Sequence, residues 1–298
     1  MTTPSPRPTL SLSIAGLPVR LIFAPGASVS LLPPSFAPFK AAPSEAPALT
    51  VSFTGCPADP AGFTRLIDRT GSDMGCVELR ADAAGRYLFL LTDTAGFTHT
   101  MLCDPLFTLC RTSLRGDSPA VAAAVSSLVR LAFSQTVIRH GGISIHASAV
   151  ASGADGRARI FLGASGTGKS THARLWTDAI PGTRLINDDN PILRLTPGGP
   201  VVYGSPWSGK TPCYRAVSAP LAAIIRLRQA AADSLTPLSD TDAFAAILPS
   251  CSVIKTDTLL HPLLCDTIAL LASTTPVALL HCTPRPEAAL LAARFGAG

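Results

Sequence analysis

The chain has 298 residues, of which 47% are hydrophobic and only 14% charged, with a formal net charge of +5. That length predicts about two domains around a large apolar core, and the charged fraction falls below the roughly 25% usual for soluble domains. The positive balance comes without a lysine-rich tract or arginine ladder, so it suits a site for a polyanion and gives no basic stripe for nucleic acid.

Met1 to Pro8 is proline-rich and lacks a charged region followed by an apolar block, so it does not read as a signal peptide. Strands are predicted on either side of Gly16 within residues 9–24, and again over Ala48–Phe53. Val77–Arg80 and Arg86–Thr92 flank Ala83-Ala84-Gly85 as a hairpin. His99–Cys103 and Leu106–Cys110 continue in the same style. With no long helical period before residue 115, residues 1–115 are expected to form a small β-rich domain. From Ser118 the period changes: Val121, Val125, Leu128, Leu131, Ala132 and Val137 recur at helical spacing, with Asp117 or Ser118 as N-cap. Residues 116–298 are therefore expected to be an α/β domain.

In that second part Ile143–Val150 reads as one strand and Arg159–Leu162 as another. Ser170–Trp176 has the composition of a helix. Arg184–Asn190 reads as a strand carrying Asp188-Asp189 near its end. Ile192–Leu195, Val201–Tyr203, Ala223–Arg228 and Val277–Cys282 are further strands. Helices are expected over Asp240–Leu248, Leu259–Leu271 and Pro286–Phe295. The apolar stretch Leu259–Leu280 is broken by His261, Pro262, Asp266 and Pro276, so no membrane span is expected there. Eight cysteines without a C-x-x-C pair read as core thiols of a reduced, cytoplasmic protein, not as a zinc site.

The chemistry centres on Gly163-Ala164-Ser165-Gly166-Thr167-Gly168-Lys169-Ser170-Thr171. It satisfies G-x-x-x-x-G-K-[ST], the phosphate-binding loop, between a strand and a helix. The glycines let backbone N–H groups turn inward around a phosphate, and the helix N-terminus adds partial positive charge. Lys169 would bridge the β- and γ-phosphates of ATP, and the Ser170 hydroxyl would ligate Mg²⁺. Asp188-Asp189 is either a solvated turn before Pro191 or a metal-binding and proton-accepting pair, and the loop favours the second. His146 is either a core residue of an apolar strand or, through antiparallel pairing, a group near the phosphates. Lys210 and Arg215 come from a later polar loop and are candidate anion contacts. Trp207 is either a lid or a core aromatic, and His140, His172 and Cys213 read as structural.

Strand His146-Ala147-Ser148-Ala149, the loop, and Leu185-Ile186-Asn187-Asp188-Asp189 occur in that order. Together they resemble the superfamily of HPr serine kinase/phosphorylase and ATP-dependent phosphoenolpyruvate carboxykinase. The pattern is closest to bacterial HPr-kinase-like proteins with a small β-rich N-terminal domain. The resemblance implies a mixed-sheet P-loop domain preceded by that β-rich domain. It implies ATP on Gly163 to Thr171, and Mg²⁺, or Mn²⁺, on Ser170 and Asp189 with His146 beside the metal. Asp188, Asp189, Lys169, His146 and Lys210 would be catalytic. The acceptor would be a serine hydroxyl of a peptide or small protein, and a homo-oligomer would be in keeping. Thr171 stands where HPr kinases usually carry Glu, as in the carboxykinases. A carboxykinase-like enzyme acting on a small carboxylate, and an ATP-binding accessory protein of a peptide-modification pathway, are the alternatives.

Overall fold

A computed structural model of the chain describes residues 7–25, 32–56, 59–72, 75–116, 118–209 and 211–296. The protein is of the α/β class, built on large mixed sheets. It divides into two compact units, Met1–Thr136 and Val137–Gly298.

The strands described in the first unit are β1 (Thr9–Ile14), β2 (Leu17–Phe23), β3 (Leu49–Phe53), β4 (Arg65–Ser72), β5 (Gly75–Ala81), β6 (Tyr87–Thr92), β7 (Thr98–Cys103) and β8 (Leu109–Ser113). They form one sheet in the order β1-β2-β3-β8-β7-β6-β5-β4. β2 alternates buried and half-buried residues along its whole length, the period that a strand with one face on a core requires. Helix α1 (Ser118–Thr136) packs against β3 and β7. That packing explains why the division falls after α1, beyond the expected boundary at 115/116. Strand β4 was not legible in Arg65–Ser72, a stretch without apolar alternation, because it exists by pairing along β5 at the sheet edge. Leu106–Thr108 is not strand, as expected, but turn. The Asp104 carboxylate accepts the N–H groups of Thr108 and Leu109 at 2.7 and 3.1 Å and folds the chain back. Of the two expected caps of α1, Ser118 is its first helical residue and Asp117 lies outside the described residues.

The second unit contains β9 (Gly142–Ser144), β10 (Ala147–Ala151), β11 (Ala158–Leu162), α2 (Lys169–Ala179), β12 (Arg184–Asp189), β13 (Ile192–Thr196), β14 (Gly199–Tyr203) and β15 (Ser218–Gln229). β16 (Ser234–Pro237), α3 (Asp240–Ile247), α4 (Leu260–Thr274), β17 (Val277–Cys282) and α5 (Pro286–Ala293) complete it. The sheet runs β12-β10-β11-β15-β14-β13-β9, with β17 on β15 and β16 on β17. β15 serves two neighbourhoods. Its start pairs antiparallel with β14, and its remainder runs parallel to β11 and β17. Every residue of β11 is buried, as a strand covered on both faces requires.

The single strand expected over 143–150 is two strands. The backbone N–H groups of Ile145 and His146 donate to Pro191 O (3.2 Å) and Ser250 O (2.7 Å), outside the ladder. β9 therefore pairs with β13, whereas β10 pairs with β11 and β12. Pro119–His140 is long and apolar enough to cross a membrane by length and composition, but 72% of its most apolar window is buried inside the protein. Core packing accounts for its hydropathy.

α2 is held by a cluster that includes Phe161, Ala173, Trp176, Ile225, Leu280 and Ala289. At its centre the Trp176 indole N–H donates to His172 Nε2 at 3.1 Å, and the His172 ring meets Phe161 edge-on. An accepting Nε2 must be unprotonated, and burial pushes the His172 pKa down to about 4 against a weaker opposing pull from Asp233. The unfolded chain therefore binds a proton near its ordinary value of about 6.5 that the folded chain refuses. The resulting stability is complete above that value and is lost as pH falls towards 4, by about 3 kcal/mol in all. Denaturant melts between pH 7.5 and 5 should show this loss, and His172→Gln should flatten it. An unchanged slope in the variant would assign the loss to other groups.

Candidate functional site

β11 ends at Leu162 and delivers the chain into the loop Gly163–Gly168, from which α2 departs. Gly166 and Gly168 take φ of +81° and +100°, a region open to glycine and strained for side chains. Gly168 is the N-cap of α2, and no side chain caps the helix there. Its first turn directs backbone donors and the positive end of the helix dipole towards the loop, an arrangement whose charge suits an anion.

Lys169 is buried, and its Nζ donates to the carbonyls of Gly163 (3.0 Å) and Ala164 (3.3 Å). The ammonium is thus stored against the loop's own backbone. Burial lowers its pKa, and the charges of Asp189 and Asp188 oppose that shift. The crest of the loop is tied to the sheet by Gln229, whose Nε2 donates to Gly166 O and Thr167 O at 3.3 and 3.4 Å.

The register of β10 assembles the rest. Ala147 stands between Leu162 on β11 and Asp189 on β12, and Ser148 stands between Phe161 and Asp188. The aspartates therefore lie one strand away from the start of the loop. Asp188 is buried, and its Oδ1 accepts a short hydrogen bond from the Ser148 hydroxyl. Its Oδ2 is buried without a hydrogen-bond partner among the described residues. A cavity of about 230 Å³ between α2 and β12 has Ser170, Arg174, Thr211 and Asp188 on its wall.

Asp189 is partly exposed, and its Oδ1 lies 3.5 Å from His146 Nε2. Its φ of +127° is a costly conformation for a side-chain residue, of the kind that persists where surrounding structure enforces it. Here the enforcement is visible. Asp189 bridges to Ser208, and Asp188 O accepts from both Gly209 N and the Ser208 hydroxyl. A Cβ on Gly209 would come within 3.2 Å of Asp189 Cβ.

Several residues that hold this geometry were not singled out in the sequence. Asn187 Nδ2 donates to Trp207 O (2.9 Å), while its Oδ1 accepts from Asn190 N (2.8 Å). The Ser144 hydroxyl donates to Asn190 Oδ1 (3.0 Å), and that of Ser205 donates to Asn190 O (2.6 Å). All four side chains are buried. The only trace in the sequence was polar residues at strand positions flanking the aspartates. The sequence assigns Ser148 no role, and in the structure its hydroxyl donates to Asp188. Trp207 is a buried member of this surround and not a lid. Arg215 donates to Leu185 O at 3.2 Å. Lys210 lies outside the described residues.

No group of three or more His, Cys, Asp or Glu side chains that could hold a metal by themselves occurs among the described residues. The donors present are a hydroxyl, two carboxylates and an imidazole, with one buried carboxylate oxygen unpartnered among the described residues. That set suits a hard divalent cation such as Mg²⁺ or Mn²⁺, which takes one or two carboxylates and completes its shell with phosphate oxygens and water. The chain matches no known protein-family model and no curated protein.

Proposed function

We propose that the second unit is a P-loop nucleotide domain of the HPr kinase and phosphoenolpyruvate carboxykinase type, preceded by a β-rich unit, and that the protein is an ATP- and Mg²⁺-dependent kinase. It transfers the γ-phosphate to a hydroxyl, a serine of a peptide or small protein, in the reducing cytoplasm. The observation that carries this reading is the Oδ2 of buried Asp188, without a hydrogen-bond partner among the described residues, one strand from a glycine-rich loop whose helix has no side-chain cap. A phosphate site alone needs no desolvated carboxylate, whereas phosphoryl transfer needs a cation beside the phosphates.

In this reading the loop amides and the α2 N-terminus hold the phosphates. Lys169 exchanges its carbonyl partners for phosphate oxygens. Ser170 and Asp188 hold the cation, which supplies charge neutralisation for the transferred group. Asp189, held close to the His146 ring, accepts the proton of the attacking hydroxyl. This divides the roles differently from the expectation that Asp189 is the metal ligand, because Asp188 shares a cavity wall with Ser170.

The test is incubation of the protein with γ-labelled ATP and Mg²⁺ in an extract of its source cells, wild type beside Asp189→Asn. The expected result is a labelled peptide or protein that disappears with the variant. Label confined to small molecules would favour the carboxykinase-like reading. ATP binding without transfer would favour the accessory-protein reading, and either outcome would reject a peptide kinase.

A further inference from the structure

Two of the eight cysteines face each other across a hairpin of the first unit. Cys103 closes β7, Cys110 lies near the start of β8, and the register sets them directly opposite. The next pair towards the turn is hydrogen-bonded, with Asp104 N donating to Leu109 O at 3.2 Å. Cys103 and Cys110 are therefore a non-hydrogen-bonded pair, the kind in which antiparallel side chains approach most closely, with Cα atoms about 4.5 Å apart. That spacing lies within the span a disulfide bridges. Both side chains are fully buried, and the Cys110 thiol donates to Cys103 Sγ at 2.9 Å.

We propose that Cys103 and Cys110 are an oxidation site, a dithiol in the resting protein that closes to a cross-strand disulfide when it meets a low-molecular-weight disulfide. One protein thiolate attacks a sulfur of the oxidant and expels the first small thiolate, leaving a mixed disulfide. The second protein thiolate attacks the protein sulfur of that bond and expels the other. The protein loses two electrons and two protons, and the oxidant takes up both and leaves as two thiols.

The site is built in advance. The Asp104 carboxylate holds the turn through the N–H groups of Thr108 and Leu109 and the Thr108 hydroxyl. Within the turn Phe107 takes a φ of +53° and is buried, stacked on Tyr87 with ring centroids 5.3 Å apart. Its carbonyl accepts the Thr136 hydroxyl at 2.8 Å. Both strand ends are thus held in place, and closing the bond needs little backbone movement. Introduced bridges often fail because they distort the fold around them.

Burial sets the kinetics. It pushes the Cys103 thiol well above its ordinary range, and Cys110 adds to the shift, so little thiolate is present while the hairpin is closed. Oxidation therefore proceeds through opening of the hairpin, and the closed fold afterwards shields the bond from reductants. In a reducing compartment the dithiol is the resting form, since disulfides there are transient. Cys56 is the competing partner. It is half-buried, its N–H donates to the Ser113 hydroxyl at 2.6 Å, and its charge also bears on Cys103.

The experiment incubates the reduced full chain with oxidised glutathione, with and without a sub-denaturing concentration of urea. Remaining thiols are then alkylated in denaturant and the protein is digested with trypsin. Cleavage after Arg86 and Arg111 releases peptide 87–111, whose only cysteines are Cys103 and Cys110. The expected product is this peptide unalkylated and lighter by two hydrogens, formed faster with urea. Dithiothreitol should reduce the bond more slowly in the folded protein than in the denatured one. The oxidised protein should melt about 5 °C above the reduced protein. Cys103→Ala should lose that rise, and Cys56→Ala should keep it. The mass of the wild-type peptide decides the matter even where Cys103→Ala does not fold. Peptide 87–111 alkylated at both cysteines, carrying glutathione, or linked to Cys56 would overturn the proposal. So would a bond that lowers the melting temperature.

Discussion

Lys169→Ala is expected to lower phosphoryl transfer by about a thousandfold, the upper end of what loss of one preorganised charge-stabilising donor costs. The side chain sits inside the loop that would hold the phosphates, and its Nζ donates to the carbonyls of Gly163 and Ala164. Those are neutral acceptors that a phosphate oxygen outbids, because charge-assisted hydrogen bonds are roughly twice as strong. Burial already destabilises the ammonium, against the pull of the two aspartates, so the site gains most when a polyanion arrives. Removing the side chain takes a desolvated charge out of the free protein and leaves the Trp176 cluster intact. The melting temperature should therefore stay close to that of wild type. Full transfer activity in Lys169→Ala would reject the mechanism.

Asp188→Asn separates stability from activity. In the free protein the carboxylate is buried, one oxygen is satisfied by Ser148, and the other has no partner among the described residues. An unsatisfied buried polar atom costs about 1–3 kcal/mol, more when charged. Asparagine keeps an acceptor for Ser148 and removes the charge. The longer-range attraction to Lys169 is lost as well, but that ammonium is bonded to carbonyls rather than to Asp188. The variant is expected to melt a few degrees higher than wild type without Mg²⁺, at about 2–4 °C per kcal/mol for a protein of this size class. Its transfer rate should fall about 10²–10³-fold. A variant that melts lower than wild type, or that transfers at the wild-type rate, would remove Asp188 from the role proposed for it.

The parts of the site that were legible in the sequence are those whose chemistry is local. Gly166 and Gly168 take positive φ that favours glycine, and the helix begins at Lys169 directly after them. Strands β11, β15 and β17 were visible because each contains an apolar run, over 160–162, 221–225 and 277–280. Where the local signal was misleading, a long-range bond overrode it. Ile143–Val150 has the composition of one strand, yet the bonds of Ile145 and His146 to Pro191 and Ser250 break it. Arg65–Ser72 has no strand signal, yet it pairs along β5.

By itself the sequence determined the glycine-rich loop, the Asp188-Asp189 pair and their order along an α/β chain, because each is set by neighbouring residues. Only the tertiary structure decided which carboxylate is buried and which is strained, since those depend on Ser148 across the ladder and on Ser208-Gly209 from a distant loop. It also decided that the loop has a large cavity on one flank and the carboxylates on the other, because the sheet order β12-β10-β11-β15 is a matter of pairing. Backbone conformation is local and can be read from residue types. Register and burial are collective and cannot.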